Sequence, residues 1–254
     1  MTAPAEPTPR RRGLFIPGMV LLGALVVLIG LGTWQLERRE WKETLIAELD
    51  RKLAAPPVDL PPRERWQQLN AASDEFRRVR FPAEFLPDQE ALVYSSGSSL
   101  RPDATGPGYW VFSPARLPGG SVVVVINRGF VPEGRQDPKT RAEGRPSGVV
   151  DIVGVMRWPE ARGTFTPGDQ PEKNLWFARD PAAMAAAKGW GNVAPFYIDQ
   201  EAPPAPRGLP KVGPLKPSLP NNHLQYAVTW YGLALVFLIS TVFFLRARRC
   251  EARS

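Results

Sequence analysis

The chain has 254 residues, 43% of them hydrophobic, and a formal net charge of +7. That charge is concentrated at the ends: residues 1–13 hold three Arg against one Glu, residues 246–254 hold four Arg against one Glu, and residues 37–222 are near balance, with 25 basic and 23 acidic side chains. The basic balance therefore argues for no nucleic-acid surface, and a single cysteine and a single histidine exclude clustered thiolate or imidazole metal sites.

From the N-terminus, a tail over 1–13 precedes an uncharged run from Leu14 to Trp34. At 1.5 Å rise per residue its length matches a hydrocarbon core of roughly 30 Å, which predicts a transmembrane helix over 14–34. Arg10, Arg11 and Arg12 precede it as they would a secretory signal, but Gly32-Thr33-Trp34-Gln35 offers no small-x-small cleavage site, so an uncleaved anchor is expected. A domain is then expected over 35–222. Within it Trp41, Leu45, Ile46, Leu49 and Leu53 recur at helical spacing and extend the helix from Glu37 to Leu53, where Ala54-Ala55-Pro56-Pro57 stops it. Pro61-Pro62 opens a short helical piece through Leu69.

From Phe76 the pattern changes to strands. Phe76 to Phe81 and Ala91 to Tyr94 are separated by a Pro-Asp turn. Tyr109 to Phe112 and Ser121 to Asn127 flank Leu117-Pro118-Gly119-Gly120, a hairpin turn. The valine run within the latter is too uniformly apolar for a half-exposed strand, which places it centrally in the sheet. Val149 to Trp158 and Ala194 to Asp199 supply two more strands, and Pro181 to Lys188 is an Ala-rich helix closed by Gly189. Short turns and few helical crossovers predict an α+β domain with a mainly antiparallel sheet or a partly closed barrel. Residues 201–220 are Pro-rich and read as an extended strap returning to the membrane. A second uncharged run, Tyr226 to Leu245, gives a transmembrane helix over 223–245, followed by a tail over 246–254.

Arg-rich tails beside both spans place both termini in the cytoplasm and export the domain between them. Cys250 lies in the tail, so the exported domain carries no thiol. Met1 to Arg12 lacks a long amphipathic presequence, which favours a bacterial inner membrane. No Gly-x-Ser-x-Gly, Walker A loop, dinucleotide fingerprint or zinc spacing occurs, and the inventory points to a binding or assembly protein rather than an enzyme.

Four stretches carry a resemblance. They are Leu31-Gly32-Thr33-Trp34-Gln35-Leu36-Glu37-Arg38-Arg39 with Lys42 and Leu45-Ile46; Val125-Ile126-Asn127-Arg128-Gly129-Phe130-Val131-Pro132; Asn174-Leu175-Trp176-Phe177-Ala178-Arg179-Asp180; and Asn221-Asn222-His223-Leu224-Gln225-Tyr226-Ala227-Val228-Thr229-Trp230-Tyr231-Gly232-Leu233-Ala234. In this order they resemble the Surfeit locus protein 1 family of cytochrome c oxidase assembly factors. The resemblance implies two membrane helices, an exported domain and service to haem-copper oxidase biogenesis, with haem a delivery or retention as the role. It implies the oxidase catalytic subunit as partner, with haem a synthase a further candidate; it does not imply a separate copper function.

Each block also has a plain physical reading. Asn127-Arg128-Gly129 closes a buried strand, with Gly129 supplying backbone freedom, and serves either as a structural turn or as a partner-contact surface. Trp176 belongs either to the core or to a contact patch. His223, Tyr226, Ala227 and Trp230 share one helical face just inside a helix start that Asn221 or Asn222 caps. On pattern alone they form an interfacial aromatic belt or hold a haem iron through His223. The resemblance favours the haem ligand, since a histidine here is the family's candidate haem contact. Trp34 and Gln35 end the first span at the same level and line the expected site, and Arg38, one turn on, is placed to pair with a propionate. The competing function is a cofactor-free chaperone that grips the nascent oxidase subunit.

Overall fold

An uncharged run followed without a break by an amphipathic one gives a single helix, α1 (Phe15–Ala54). Its apolar part and that of α4 (His223–Glu251) are long and apolar enough to cross a membrane, and only 6% of each window is buried within the protein. The computed structural model describes residues 15–120, 122–144 and 146–251. The expected tail 1–13, Leu14, the strand start at Ser121 and the last three residues lie outside them. The chain divides into two units: the described residues through Ile46 with those from Pro220 onward, and Ala47–Leu219. α1 runs unbroken through Glu37–Leu53, as the spacing of its apolar residues predicts, so the first apolar run and the amphipathic stretch are one element.

In the second unit, β1 (Val58–Asp59), a 3-10 turn (Arg63–Gln68) and α2 (Ala71–Asp74) lead to the sheet. The strands are β2 (Arg78–Phe85), β3 (Ala91–Gly97), β4 (Thr105–Arg116), β5 (Val123–Pro132), β6 (Val149–Arg157), β7 (Leu175–Trp176) and β8 (Val193–Ala202), with α3 (Pro181–Lys188) before β8. They run in the order β1-β2-β6-β8-β5-β4-β3-β7, and a further β2–β4 pairing closes β2, β6, β8, β5 and β4 into a five-stranded barrel. The long β4 makes closure possible: its first part pairs with β3, and its last residues, Ala115 and Arg116, pair with Phe85 and Glu84. All barrel pairs are antiparallel except β5–β8.

Alternation in β2 sends Val79, Phe81 and Ala83 into the barrel, where they meet Ile126, Ile152, Met156, Phe196 and Ile198. The valine strand is central, as its composition predicts. Val124 and Ile126 face the barrel interior, while Val125 and Phe130 face a second core formed with Trp110, Phe112, Trp176, Met184 and Tyr197. Asp180 caps α3 by accepting from the Ala182 and Ala183 amides, and Gly189 ends it at φ 70°.

Two sequence expectations change, and a third element proves to be anchored. The strand expected from Phe76 starts at Arg78, because Phe76 turns the chain at φ 67° and lies under the Arg157 guanidinium. Asn127-Arg128-Gly129 does not close its strand. Trp110 pairs with Phe130 and Phe112 with Asn127, so β5 carries an extra residue here, a bulge within a strand that continues to Pro132. The extended Pro-rich strap is docked on the barrel unit: Lys211 bridges Phe130 by two backbone hydrogen bonds, and the Lys216 and Ser218 amides donate to the Leu100 and Ser99 carbonyls. Arg101 locks it, donating to the Gly213 and Lys211 carbonyls while it holds Asp103 with both arms.

Candidate functional site at the helix pair

α1 and α4 touch through Gly32, Thr33 and Gln35 of α1, and along both helices the less exposed residues recur at heptad spacing. On α1 the less exposed positions include Leu21, Leu25, Leu28, Gly32, Gln35, Arg39, Lys42 and Ile46, spaced alternately four and three apart. On α4 they are His223, Ala227, Trp230, Ala234, Phe237 and Thr241, with the same spacing. A 3.5-residue repeat keeps one stripe of each helix facing its partner. Small residues allow close approach: a side chain at Gly32 would come within 2.8 Å of the Tyr231 ring, and Ala227 and Ala234 are buried. Beside that contact, Thr33 Oγ1 donates to the Ile29 carbonyl, leaving the Tyr231 hydroxyl to donate to Thr33 at 3.1 Å.

At the end of the seam where α4 begins, His223 Nδ1 lies 2.7 Å from Gln35 Oε1 on the facing helix. The ring is half-buried, and Nε2 has no hydrogen-bond partner among the described residues. One turn before α4, the Lys42 ammonium donates to the Pro220 carbonyl and fixes the approach of the chain to the helix. Asn221 does not cap α4, since its Oδ1 makes no hydrogen bond, while the Asn222 carbonyl accepts from the Tyr226 amide to close the first turn.

The structure brings some expected residues together and separates others. His223, Gln35 and Trp230 share the seam. Tyr226 does not: it is 54% exposed where its neighbour Ala227 is 1% exposed, so the contact stripe runs through the alanine. Trp34 is 51% exposed, on the outer side of α1. Arg38 is also off the seam, its guanidinium 4.2 Å from the Trp41 ring centroid. The cations that follow Gln35 on the seam are Arg39, paired with Glu43 at 2.7 Å, and Lys42. Reading α4 by itself missed them; the heptad spacing of Gly32, Gln35, Arg39 and Lys42 against His223, Ala227 and Trp230 carries the signal.

The other candidates lie in the barrel unit and are interior. Asn127 Nδ2 donates to Asp199 at 2.7 Å, and its Oδ1 accepts from the Gly129 amide. Arg128 is buried, donates to the Gly144 carbonyl and lies over the Phe85 ring. Trp176 is 1% exposed in the second core. Asp199 also receives Arg157 at 3.2 Å, and Arg157 reaches Glu75 at 3.1 Å. Burial disfavours the Arg157 charge, yet Tyr197, Asp199 and Glu75 together raise its pKa above the ordinary arginine value. Burial pushes the Tyr197 phenol up as well.

A pair of membrane-crossing helices with a five-stranded barrel in the intervening chain defines a two-span membrane protein with one folded domain. Comparison with known proteins makes this specific: the SURF1 family model matches residues 22–235, and the chain belongs to that family. Among its relatives, SURF1-like protein of Monosiga brevicollis is 36% identical over 251 residues, covering 95% of this chain and 91% of that one. Surfeit locus protein 1 of Homo sapiens is 37% identical over 223 residues, covering 85% and 73%. The Rattus norvegicus protein of the same name is 35% identical over 229 residues, covering 87% and 70%.

Proposed function

We propose that this chain is a non-enzymatic assembly factor for haem-copper cytochrome c oxidase, which binds haem a through His223 and assists its insertion into the oxidase catalytic subunit. The observation that carries the reading is the half-buried imidazole with Nδ1 engaged and Nε2 left without a partner. Neutral imidazole binds iron through a nitrogen lone pair, and metal-bound histidines use their other ring nitrogen for an outer hydrogen bond. The surroundings fit the group. Exposed aromatic rings at Trp34 and Tyr226 lie within one turn of Gln35 and His223 along their own helices, and the cations Arg38, Arg39 and Lys42 follow Gln35 within two turns. A bound haem a would supply an iron that takes an imidazole nitrogen as ligand. The chain's own residues orient it, and with one histidine per chain they hold it through a single imidazole.

In this reading the barrel domain lies on the periplasmic side of a bacterial inner membrane with both termini cytoplasmic. The ligand then sits at the outer face, with the oxidase catalytic subunit as the proposed acceptor and a haem a synthase as a further candidate partner. The full chain purified from cells that make haem a is expected to carry a haem a spectrum, and His223→Ala is expected to lose it. An unchanged spectrum in His223→Ala, or normal oxidase assembly by that variant, would favour the cofactor-free chaperone instead.

A further inference from the structure

We propose that Gln35 is a positioning residue that holds the His223 imidazole in one tautomer, with the proton on Nδ1 and the lone pair on Nε2. This rests on the reading of His223 as a haem ligand for its purpose, though not for its geometry. A neutral imidazole has one N–H and one lone pair, and the partner of one nitrogen decides the role of the other. Nδ1 stands 2.7 Å from Gln35 Oε1, a carbonyl-type oxygen that can only accept. The proton therefore resides on Nδ1, and Nε2, which has no partner among the described residues, presents its lone pair outward. A backbone carbonyl or a carboxylate does this for many metal-bound histidines; here a carboxamide from the opposite helix does it.

Three features keep the carboxamide in place. Gln35 occupies a seam position one turn from Gly32, whose lack of a side chain lets the Tyr231 ring lie against α1. Tyr231 is in turn hydrogen-bonded to Thr33. On the other side, Lys42 ties α1 to the Pro220 carbonyl just before α4. The distance between the two helices at His223 is thus set above and below the Gln35 contact. Were the carboxamide turned over, its NH2 would face Nδ1, the proton would move to Nε2, and the lone pair would be lost to any iron. The orientation of one side chain accordingly switches the imidazole between ligand and non-ligand forms.

The single histidine makes this directly measurable. The full chain, labelled with 15N only in histidine and studied in detergent without haem, gives one pair of ring nitrogen signals. With the ring neutral, wild type is expected to show the Nδ1–H form. Gln35→Leu is expected to shift to a mixture dominated by Nε2–H, and Gln35→Glu, which keeps an acceptor, to restore Nδ1–H. A wild-type ring protonated on Nε2, or a Gln35→Leu spectrum like wild type, overturns the proposal. Equal thermal melts for Gln35→Leu and wild type show that the shift does not come from unfolding. In a haem titration, Gln35→Leu is expected to weaken binding by about 10–100-fold, with Gln35→Glu at least as tight as wild type. Retention of haem by His223→Ala would sink the ligand reading while leaving the tautomer result standing, so the two failures are distinguishable.

Discussion

The bulge in β5 shows how much one residue can fix. Gly129 has φ 118°, a region that disfavours side chains, and a Cβ there would sit 2.4 Å from the Lys211 carbonyl oxygen. Two requirements meet at this position: the extra residue must be absorbed in the strand, and the docked strap must pass close to it. Gly119, in the β4–β5 turn, also has a positive φ but open space around it. Gly129→Ala is therefore expected to destabilise the barrel by about 2–4 kcal/mol and Gly119→Ala by about 1 kcal/mol, as backbone strain with and without steric conflict. Thermal melts of the two variants, followed by far-ultraviolet circular dichroism, check this ranking; equal losses would mean that the strap gives way freely.

At the scale of elements, the two long helices and the strap each depend on a periodic or paired contact. Gln35 faces His223, and Gly32 faces Tyr231, so the two seams run antiparallel. From the close contact of Gly32 with Tyr231, one further turn along each helix brings Leu28 of α1 near Ala234 of α4. With Cys250 replaced by Ser, the pair Leu28→Cys and Ala234→Cys is expected to form an intramolecular disulfide under mild oxidation. The outward pair Val27→Cys and Leu235→Cys is not. Gel mobility before and after reduction reads the result.

The strap is expected to respond to acid. Hydrogen bonds from Arg101, with the charges of Arg101 and Lys211, hold the Asp103 carboxyl down at about 2 from an ordinary 3.8. A carboxyl depressed in the folded state stabilises it above the ordinary value, and that contribution disappears as pH falls through the folded one. Hydrogen exchange at the Lys211, Lys216 and Ser218 amides is expected to lose protection between about pH 4 and pH 2. The same amides in Asp103→Asn are expected to lack this step.

For the whole molecule, the most repetitive signals were the most legible. Charge-free length marked both long helices, and the valine run marked the central strand, because burial on both faces removes polar alternation. The Pro-Asp and Gly-Gly turns and the capped Ala-rich helix were legible because their chemistry is local. Barrel closure was not. It depends on β2 meeting the far end of β4, a pairing no neighbouring residues announce. The docking of the strap depends on Arg101, which is more than 100 positions from Gly213 in sequence. In the candidate site, His223 and Gln35 were both visible as residue types, whereas their contact and the exclusion of Tyr226, Trp34 and Arg38 from the seam required the facing helix. One helix shows which residues share a face, but not which face is used.

The position of β8 governs when the barrel can exist. It is the last strand in the chain, yet it lies between β5 and β6 and provides Asp199, on which Asn127 and Arg157 converge. A growing polypeptide that has reached β7 has the β4, β5, β2 and β6 strands that pair antiparallel, but it lacks the strand between β5 and β6, the acceptor of Asn127 Nδ2 and one of the carboxylates around Arg157. Loop-closure entropy and the non-local parallel β5–β8 pairing make this insertion the step expected to be slowest. The domain is thus timed by its own topology: almost its whole length must emerge before any of it is sealed.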